Sequence, residues 1–174
     1  SHARIGPLAL AELETGEFLV SGGSNRGQIF RFPASGGNAG QLVAALDEPV
    51  FNMALDREGW LWATTGGGAL LQLDPASGQI AGRFGTGITM GLAVDSDTGR
   101  IFVGTQNGVE IFEPATGSLT RFSRDLNLRI SSLALDHRGR LWAVTWPDRR
   151  QLVRFTDHGR AELILEFDSD IDSL

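Results

Sequence analysis

Apolar and polar positions along the chain fall in short bursts broken by turn residues, and the bursts recur in a fixed order. A first apolar run (Val50 to Leu55, Ile88 to Val94, Ile130 to Leu135) leads into an Asp and a Gly. A second run alternates strongly, as in Trp60, Leu61, Trp62, Ala63 and Thr64, or Arg100, Ile101, Phe102, Val103 and Gly104. Period-two alternation rich in β-branched and aromatic residues predicts half-buried strands. A Gly-rich or polar loop follows, then a third run (Ala69 to Leu73, Val109 to Phe112, Gln151 to Phe155) and a turn that reads DPASGQ or EPATGS. Pro followed by Gly is turn chemistry. A fourth run closes the unit at Ile80 to Phe84, Leu119 to Phe122 and Ala161 to Phe167, and no stretch shows helical periodicity.

The turn glycines Gly16, Gly59, Gly99 and Gly139 put the repeat at 43, 40 and 40 residues. Around them FNMALDREGWLWATT, TMGLAVDSDTGRIFVGT and SSLALDHRGRLWAVT agree, while the first copy, LALAELETGEFLVSGG, is degraded. A unit of four short antiparallel strands cannot bury both of its faces alone, so its copies must stack and share a core. The pattern is that of an all-β protein built as a β-propeller, each four-stranded antiparallel sheet forming one blade. The expected blades span about 5–46, 49–84, 88–122 and 130–167 of a single propeller segment, 1–174. Residues 171–174, IDSL, match the ISSL of 130–133 and read as the start of a further blade. Part of a larger ring of roughly six to eight blades is expected, or a half that self-associates to complete one.

Composition narrows the function classes. The 15 basic residues are all Arg, the formal charge is −6 and Cys is absent. An acidic, lysine-free chain argues against nucleic-acid partners. The lack of Cys removes disulfides and thiolate metal sites and leaves the redox compartment open. No segment approaches membrane-spanning length, so no membrane insertion is expected. The opening SHARIGPLAL lacks the signature of a signal peptide, so export would be encoded outside this chain.

The run D-x-x-G-x-L-W-x-x-T at Asp56 to Thr65 and Asp136 to Thr145 resembles two repeat families. These are the propeller repeats of two-component sensor ectodomains and the blades of streptogramin lyases; gluconolactonase and NHL-type propellers are more distant. The resemblance covers about 49–167 well and the first blade weakly. It is specific for the fold alone; the expected location is periplasmic or extracellular. Sensors, lyases, lactonases and passive scaffolds share that fold, which does not choose among them.

Asp56, Asp95 and Asp136 recur at one blade position, where a carboxylate before a tight turn reads as Asx chemistry. Asp95, Asp97 and Gly99 resemble the start of a calcium loop, but DSDTG occupies the slot of DREG and DHRG and reads as a turn. Asp168, Asp170 and Asp172 have a D-x-D-x-D spacing that offers hard oxygen ligands to Ca²⁺, the one cofactor candidate. His137 and His158 lie in turns, and no serine-hydrolase elbow or triad order is present. Trp60, Trp62 and Trp142 are expected on second strands, packing between sheets. Trp146 differs, because TWPDRR stands where other blades have TGGGA or TQNGV.

Loops joining second to third strands, and those joining blade to blade, open on one face around the channel. That face would carry Arg26, Asn107, Arg129, Trp146, Arg149 and Arg150, with Ser24, Asn25, Gln106, Arg124, Asp125, Asn127 and Asp148 beside them. Arginines, amides and an aromatic suit a small anionic molecule, a glycan or a peptide. The alternative for Trp146 is packing over its own blade, with Arg149 and Arg150 in water. The expected function is a ligand-binding or sensing module of a larger bacterial protein. The alternatives are a metal-dependent lyase or lactonase, and a structural spacer in an adhesin or receptor. The enzyme reading needs ionisable groups on innermost strands, which here read FNMAL, TMGLAV and SSLAL.

Overall fold

The computed structural model describes residues 9–23, 26–37, 39–124, 128–146 and 150–168. It contains four antiparallel sheets of four strands, each wound up and down in chain order. Blade 1 holds β1 (Leu10–Glu12), β2 (Phe18–Gly22), β3 (Gln28–Phe32) and β4 (Gln41–Ala45). Blade 2 holds β5 (Val50–Leu55), β6 (Leu61–Thr65), β7 (Leu70–Leu73) and β8 (Ile80–Phe84). Blade 3 holds β9 (Ile88–Asp95), β10 (Arg100–Thr105), β11 (Gly108–Glu113) and β12 (Ser118–Arg121). Blade 4 holds β13 (Ile130–Leu135), β14 (Leu141–Thr145), β15 (Gln151–Phe155) and β16 (Ala161–Glu166). The chain divides into two compact units, Ser1–Phe84 with blades 1 and 2, and Gly85–Leu174 with blades 3 and 4.

Alternation gives every blade two apolar faces. We call the face toward the preceding blade leading and the opposite face trailing. In the first unit Leu19 and Ile29 of blade 1 share a core with Met53, Leu61, Ala63, Leu71 and Leu73 of blade 2. In the second, Phe102 and Val109 of blade 3 meet Leu133, Leu141, Ala143, Val153 and Phe155 of blade 4. Phe122 joins the two sheets there, its ring 5.2 Å from Phe102 and 5.9 Å from Phe155 in edge-on geometry. Such pairs add about 0.5–1.5 kcal/mol each to the burial of the rings.

First strands of neighbouring blades lie side by side, β1 by β5 and β9 by β13. In the second unit Thr89 Oγ1 donates to Ile130 O across that seam at 2.6 Å. First strands also carry a register shift near their starts, between Val50 and Asn52 and between Ile130 and Ser132. Bulges of this kind bend a strand and increase its local twist. At the outer side, the turn between third and fourth strands docks on the preceding blade. Gly78, at φ +72°, sits so close to the Val43 carbonyl that a β-carbon there would overlap it. Gly159, also at φ +72°, stands in the same relation to the Phe122 carbonyl. The Gly159 carbonyl accepts the Arg124 N–H at 2.8 Å.

The recurrent Asp is a latch. Asp56 Oδ1 accepts the N–H of Glu58 and of Trp60, both at 2.9 Å, while Oδ2 accepts Trp62 Nε1–H at 2.7 Å. Asp136 repeats this with Arg138 N, Arg140 N and Trp142 Nε1. In blade 3 Phe102 replaces the indole, and Asp95 Oδ2 takes the Thr98 hydroxyl instead. In blade 1 Leu13 stands in the Asp slot and Leu19 in the Trp slot, and both join the apolar core. Trp60 corrects a sequence expectation, because it precedes β6 rather than lying on it. Its N–H goes to the Asp56 carboxylate and its C=O to the Asp56 N–H, so the turn consumes its backbone.

Two outcomes follow. Gly159→Ala is expected to cost at least about 1–2 kcal/mol from the left-handed backbone alone, with the carbonyl overlap added, read as a fall in urea midpoint. Asp56→Ala leaves the indole N–H of the fully buried Trp62 without its carboxylate and is expected to cost about 1–3 kcal/mol. In a double-mutant cycle with Trp62→Phe, the costs should be clearly less than additive.

Candidate functional site

The upper end of blade 4, where β14 ends and β13 and β15 begin, gathers three of the sequence-predicted residues. Trp146 directly follows β14 and remains 40% exposed. Its N–H donates to Arg129 O at 3.0 Å, which ties the loop to the entry of β13. The Arg129 guanidinium carbon lies 5.8 Å from the Trp146 ring centroid, a cation–π distance. Arg150, at the entry of β15, donates from Nη1 to Asp168 O at 3.0 Å, and its own carbonyl accepts the Phe167 N–H at 2.8 Å. Arg149 lies outside the described residues.

Asn107 occupies the equivalent loop of blade 3. Its N–H donates to Thr105 Oγ1 at 3.2 Å, and the residue is exposed. The threonines that end second strands act alike: Thr65 Oγ1 donates to Ala69 O, Thr105 Oγ1 donates to Gly108 O, and Thr145 Oγ1 accepts the Gln151 N–H. These buried hydroxyls close the hairpins and hold the exposed loop residues on fixed stems. Arg26 belongs to the first unit and has a structural backbone. At φ 58° it donates its N–H to Gly23 O, and its carbonyl accepts the Val50 N–H.

Of the D-x-D-x-D residues, Asp168 is described and exposed, and its backbone carbonyl serves Arg150; Asp170 and Asp172 lie outside the described residues. Among the described residues no group of three His, Asp or Glu side chains is placed to hold a metal ion. The recurrent carboxylates are surrounded by donors. At Asp136, burial raises the carboxyl, but the N–H groups of Trp142, Arg140 and Arg138 and the Arg140 guanidinium outweigh it and hold it far below the ordinary range. At Asp95 burial again opposes, and the hydroxyl and N–H of Thr98 with the Asp97 N–H win. The two oxygens of Asp136 each accept two bonds, which fills their four acceptor sites. His137 and His158 sit exposed in turns at the opposite end of the blade from Trp146.

Two further constellations carry little local sequence signal. In the first unit a cleft of about 380 Å³ is lined by Ala45, Leu46, Asp47, Glu48, Leu71, Ile80 and Arg83. Arg83 and Glu48 pair across it, which lowers the Glu48 carboxyl below its usual value. On the trailing face of blade 4, Trp142 lies under two guanidinium groups, with Arg140 at 6.0 Å and Arg154 at 5.9 Å from its ring centroid. Arg154 also pairs with Glu162 at 2.6 Å. Trp142 therefore differs from the expected core aromatic: it is half-buried, whereas Trp62 in the same slot is fully buried.

No protein-family profile and no curated protein matches the sequence. Solved structures do. Virginiamycin B lyase from Staphylococcus aureus superposes with a TM-score of 0.71 at 14% identity, over 95% of this chain and 57% of that one. The extracellular domain of a two-component system, BT4673 from B. thetaiotaomicron, gives 0.68 at 18% identity, over 97% of this chain and 23% of that one. A chain of a nidogen/laminin complex gives 0.80 at 17% identity, over 97% and 68% respectively. The chain carries the β-propeller fold. It spans a little over half the length of the lyase chains it matches. Identities this low establish the propeller and leave its chemistry open.

The carboxylate latch sets an acid dependence. The folded Asp136 carboxyl titrates below its unfolded value, so its contribution is fully present above about pH 3.9 and is lost as pH falls through the folded value. Urea midpoints of the protein and of Asp136→Asn should differ by a constant amount above about pH 5 and converge below about pH 4.

Proposed function

We propose that this propeller is a binding or sensing module that recognises its ligand at the upper loop end of blade 4. The observation that carries the reading is Trp146, an exposed large aromatic held by its backbone and flanked by the Arg129 guanidinium. Loops on a rigid scaffold are where binding residues concentrate, and Trp with Arg is the composition of interaction hot spots. The indole offers a stacking surface, and Arg129 and Arg150 offer charge-assisted donors to carboxylate, phosphate or sugar oxygens. The ligand class is therefore an anionic small molecule, a glycan or an acidic peptide. Arg149 belongs to the same proposed set, with Asn107 contributing from blade 3. Before the terminal Asp95, whose carboxylate is engaged by its own turn, the first strands β5, β9 and β13 place Asn52, Thr89, Ser131 and Ser132 as their polar residues. That supply suits recognition better than acid–base chemistry.

Fold likeness to the extracellular domain of a two-component system supports a place outside the cytoplasm in a longer bacterial protein. Among the described residues no helix is long and apolar enough to cross a membrane.

Trp146→Ala and Arg129→Gln are each expected to weaken binding about tenfold or more, a cost of roughly 1.4 kcal/mol. Thermal stability should change by less than about 0.5 kcal/mol, as for ordinary surface substitutions. A glycan and acidic-peptide array followed by titration calorimetry measures the first, and thermal unfolding the second. Loss of fold without a specific binding effect would sink the proposal.

A further inference from the structure

The Glu48–Arg83 pair of the first unit stands at a place that the second unit fills without charge. Glu48 precedes Val50, the first residue of β5, by two positions, as Leu128 precedes Ile130, the first of β13. Arg83 pairs in register with Leu71 of β7, and Leu163 pairs with Val153 at the equivalent place on β15. Leucines thus occupy both positions in the second unit, whose blades share a continuous apolar core. Stacking does not call for a guanidinium or a carboxylate here. The first unit nevertheless builds a seat for them. A β-carbon at Gly67 would overlap Glu48 Oε2 and crowd Arg83 Nη2, so any other residue in that glycine loop would push the pair aside. Arg83 meets Glu48 end-on, Nη1 to Oε1 at 2.5 Å and Nη2 to Oε2 at 3.5 Å. With the Gly67 N–H beside it, the guanidinium holds the Glu48 carboxyl below its ordinary value.

The pair borders the cleft of about 380 Å³, a volume at the low end of small-ligand sites. The connection from β4 to β5 supplies Leu46, Asp47 and Glu48, and the leading face of blade 2 supplies Leu71, Ile80 and Arg83. Both walls belong to the first unit, so the cleft does not depend on what covers the outward faces of the chain. Its chemistry is divided. Leu46, Leu71 and Ile80 are aliphatic, and Ile80 is 52% exposed. The Arg83 side chain is also 52% exposed, and an end-on pair leaves Nε–H and an outer hydrogen on each terminal nitrogen for a second acceptor. A bare anion is opposed, because Asp47 and Glu48 set two carboxylates against one guanidinium. An ammonium on the same ligand offsets that repulsion, and Asp47 stands exposed at the rim to receive it.

We propose that this cleft binds a small zwitterion with an aliphatic body, an apolar amino acid or its short peptide. The ligand carboxylate takes the outward N–H groups of Arg83, the ammonium faces Asp47, and the side chain lies over Leu71 and Ile80. Glu48 is a positioning residue that aims Arg83. The inference is independent of the reading at Trp146, which concerns the second unit.

Isothermal calorimetry with L-leucine and leucyl-leucine tests it. Saturable one-to-one binding of at least one of them is expected with a Kd of about 1 mM or tighter, an ordinary affinity for ligands of this size. Isovalerate, which lacks the ammonium, and isoamylamine, which lacks the carboxylate, should each bind at least about tenfold more weakly. Asp47→Asn alters an exposed residue, and Arg83→Gln removes the guanidinium; each should weaken zwitterion binding about tenfold or more. If Arg83→Gln disturbs the fold by leaving Glu48 unpaired, Arg83→Lys keeps the charge, loses the fork and should still lower affinity. Trp146→Ala should leave this binding unchanged, which separates the cleft from the blade 4 site. No saturation by either zwitterion up to about 10 mM overturns the proposal, as does an affinity untouched in the folded variants. Isovalerate bound as tightly as the zwitterion would mark a simple anion site, and isoamylamine bound as tightly a simple cation site; either result overturns it.

Discussion

A four-stranded blade with apolar residues on both faces has no stable existence alone, and that constraint organises the molecule. Adjacent residues of one second strand point to opposite sides, as Leu61 and Trp62 do, and Leu141 and Trp142. Burying an apolar side chain contributes about 1.5–3 kcal/mol, so each blade needs a neighbour on either side. The other regularities serve this stacking. Within each unit the first strands run side by side, β1 by β5 and β9 by β13, bulges near their starts supply the bend, and the outer turn glycines let one blade's turn rest on its predecessor's backbone.

The Asp–Trp latch shows how one structural task is met by different chemistry. A carboxylate before the turn satisfies two backbone N–H groups and reaches forward to the indole two residues into the next stretch of strand. The indole can then be buried without leaving its N–H unpaired, which would be costly. Blade 3 keeps the Asp but gives its second oxygen to Thr98, because Phe102 has no N–H to offer. Blade 1 removes both polar partners at once and packs Leu13 and Leu19 instead. Carboxylate and indole are lost together in blade 1, whereas blade 3 loses the indole alone and keeps the carboxylate for its own turn. The same bonds give these recurrent aspartates a structural task in the turn itself.

Strands were legible because alternation is a local signal: all four blades follow the predicted order, with strand ends displaced by a residue or so. What failed depended on partners outside the local window. Trp60 alternates correctly for a strand, but Asp56 captures its backbone for the turn. Trp142 repeats the motif of Trp62, yet its exposure is decided by what covers the trailing face, and no motif states that. The Glu48–Arg83 pair joins positions 35 residues apart, and the Arg31 bond to Pro75 O spans 44. Arg26 holds a left-handed backbone that glycine would ordinarily announce. Of the proposed site, the interruption TWPDRR was visible as a departure from the repeat; the stacking of Arg129 on Trp146 was not, because it crosses from one loop to another.

The two ends of a blade carry unequal duties, and this asymmetry gives the upper end its freedom. At the lower end of blade 4 the turn holds the Asp136 latch, and the outer turn holds Gly159 against Phe122, so a change there is paid in stability. At the upper end of blades 2, 3 and 4 the buried threonine that ends the second strand closes the hairpin from within. The residues beyond it are released from packing. TGGGA, TQNGV and the segment containing Trp146 can then occupy the same position with no common side-chain chemistry except that threonine. Recognition residues can vary on such stems without disturbing the stack, whereas the same variation at the latch would expose an indole or strand a carboxylate. A propeller built this way keeps its fold at one end and is free to acquire specificity at the other.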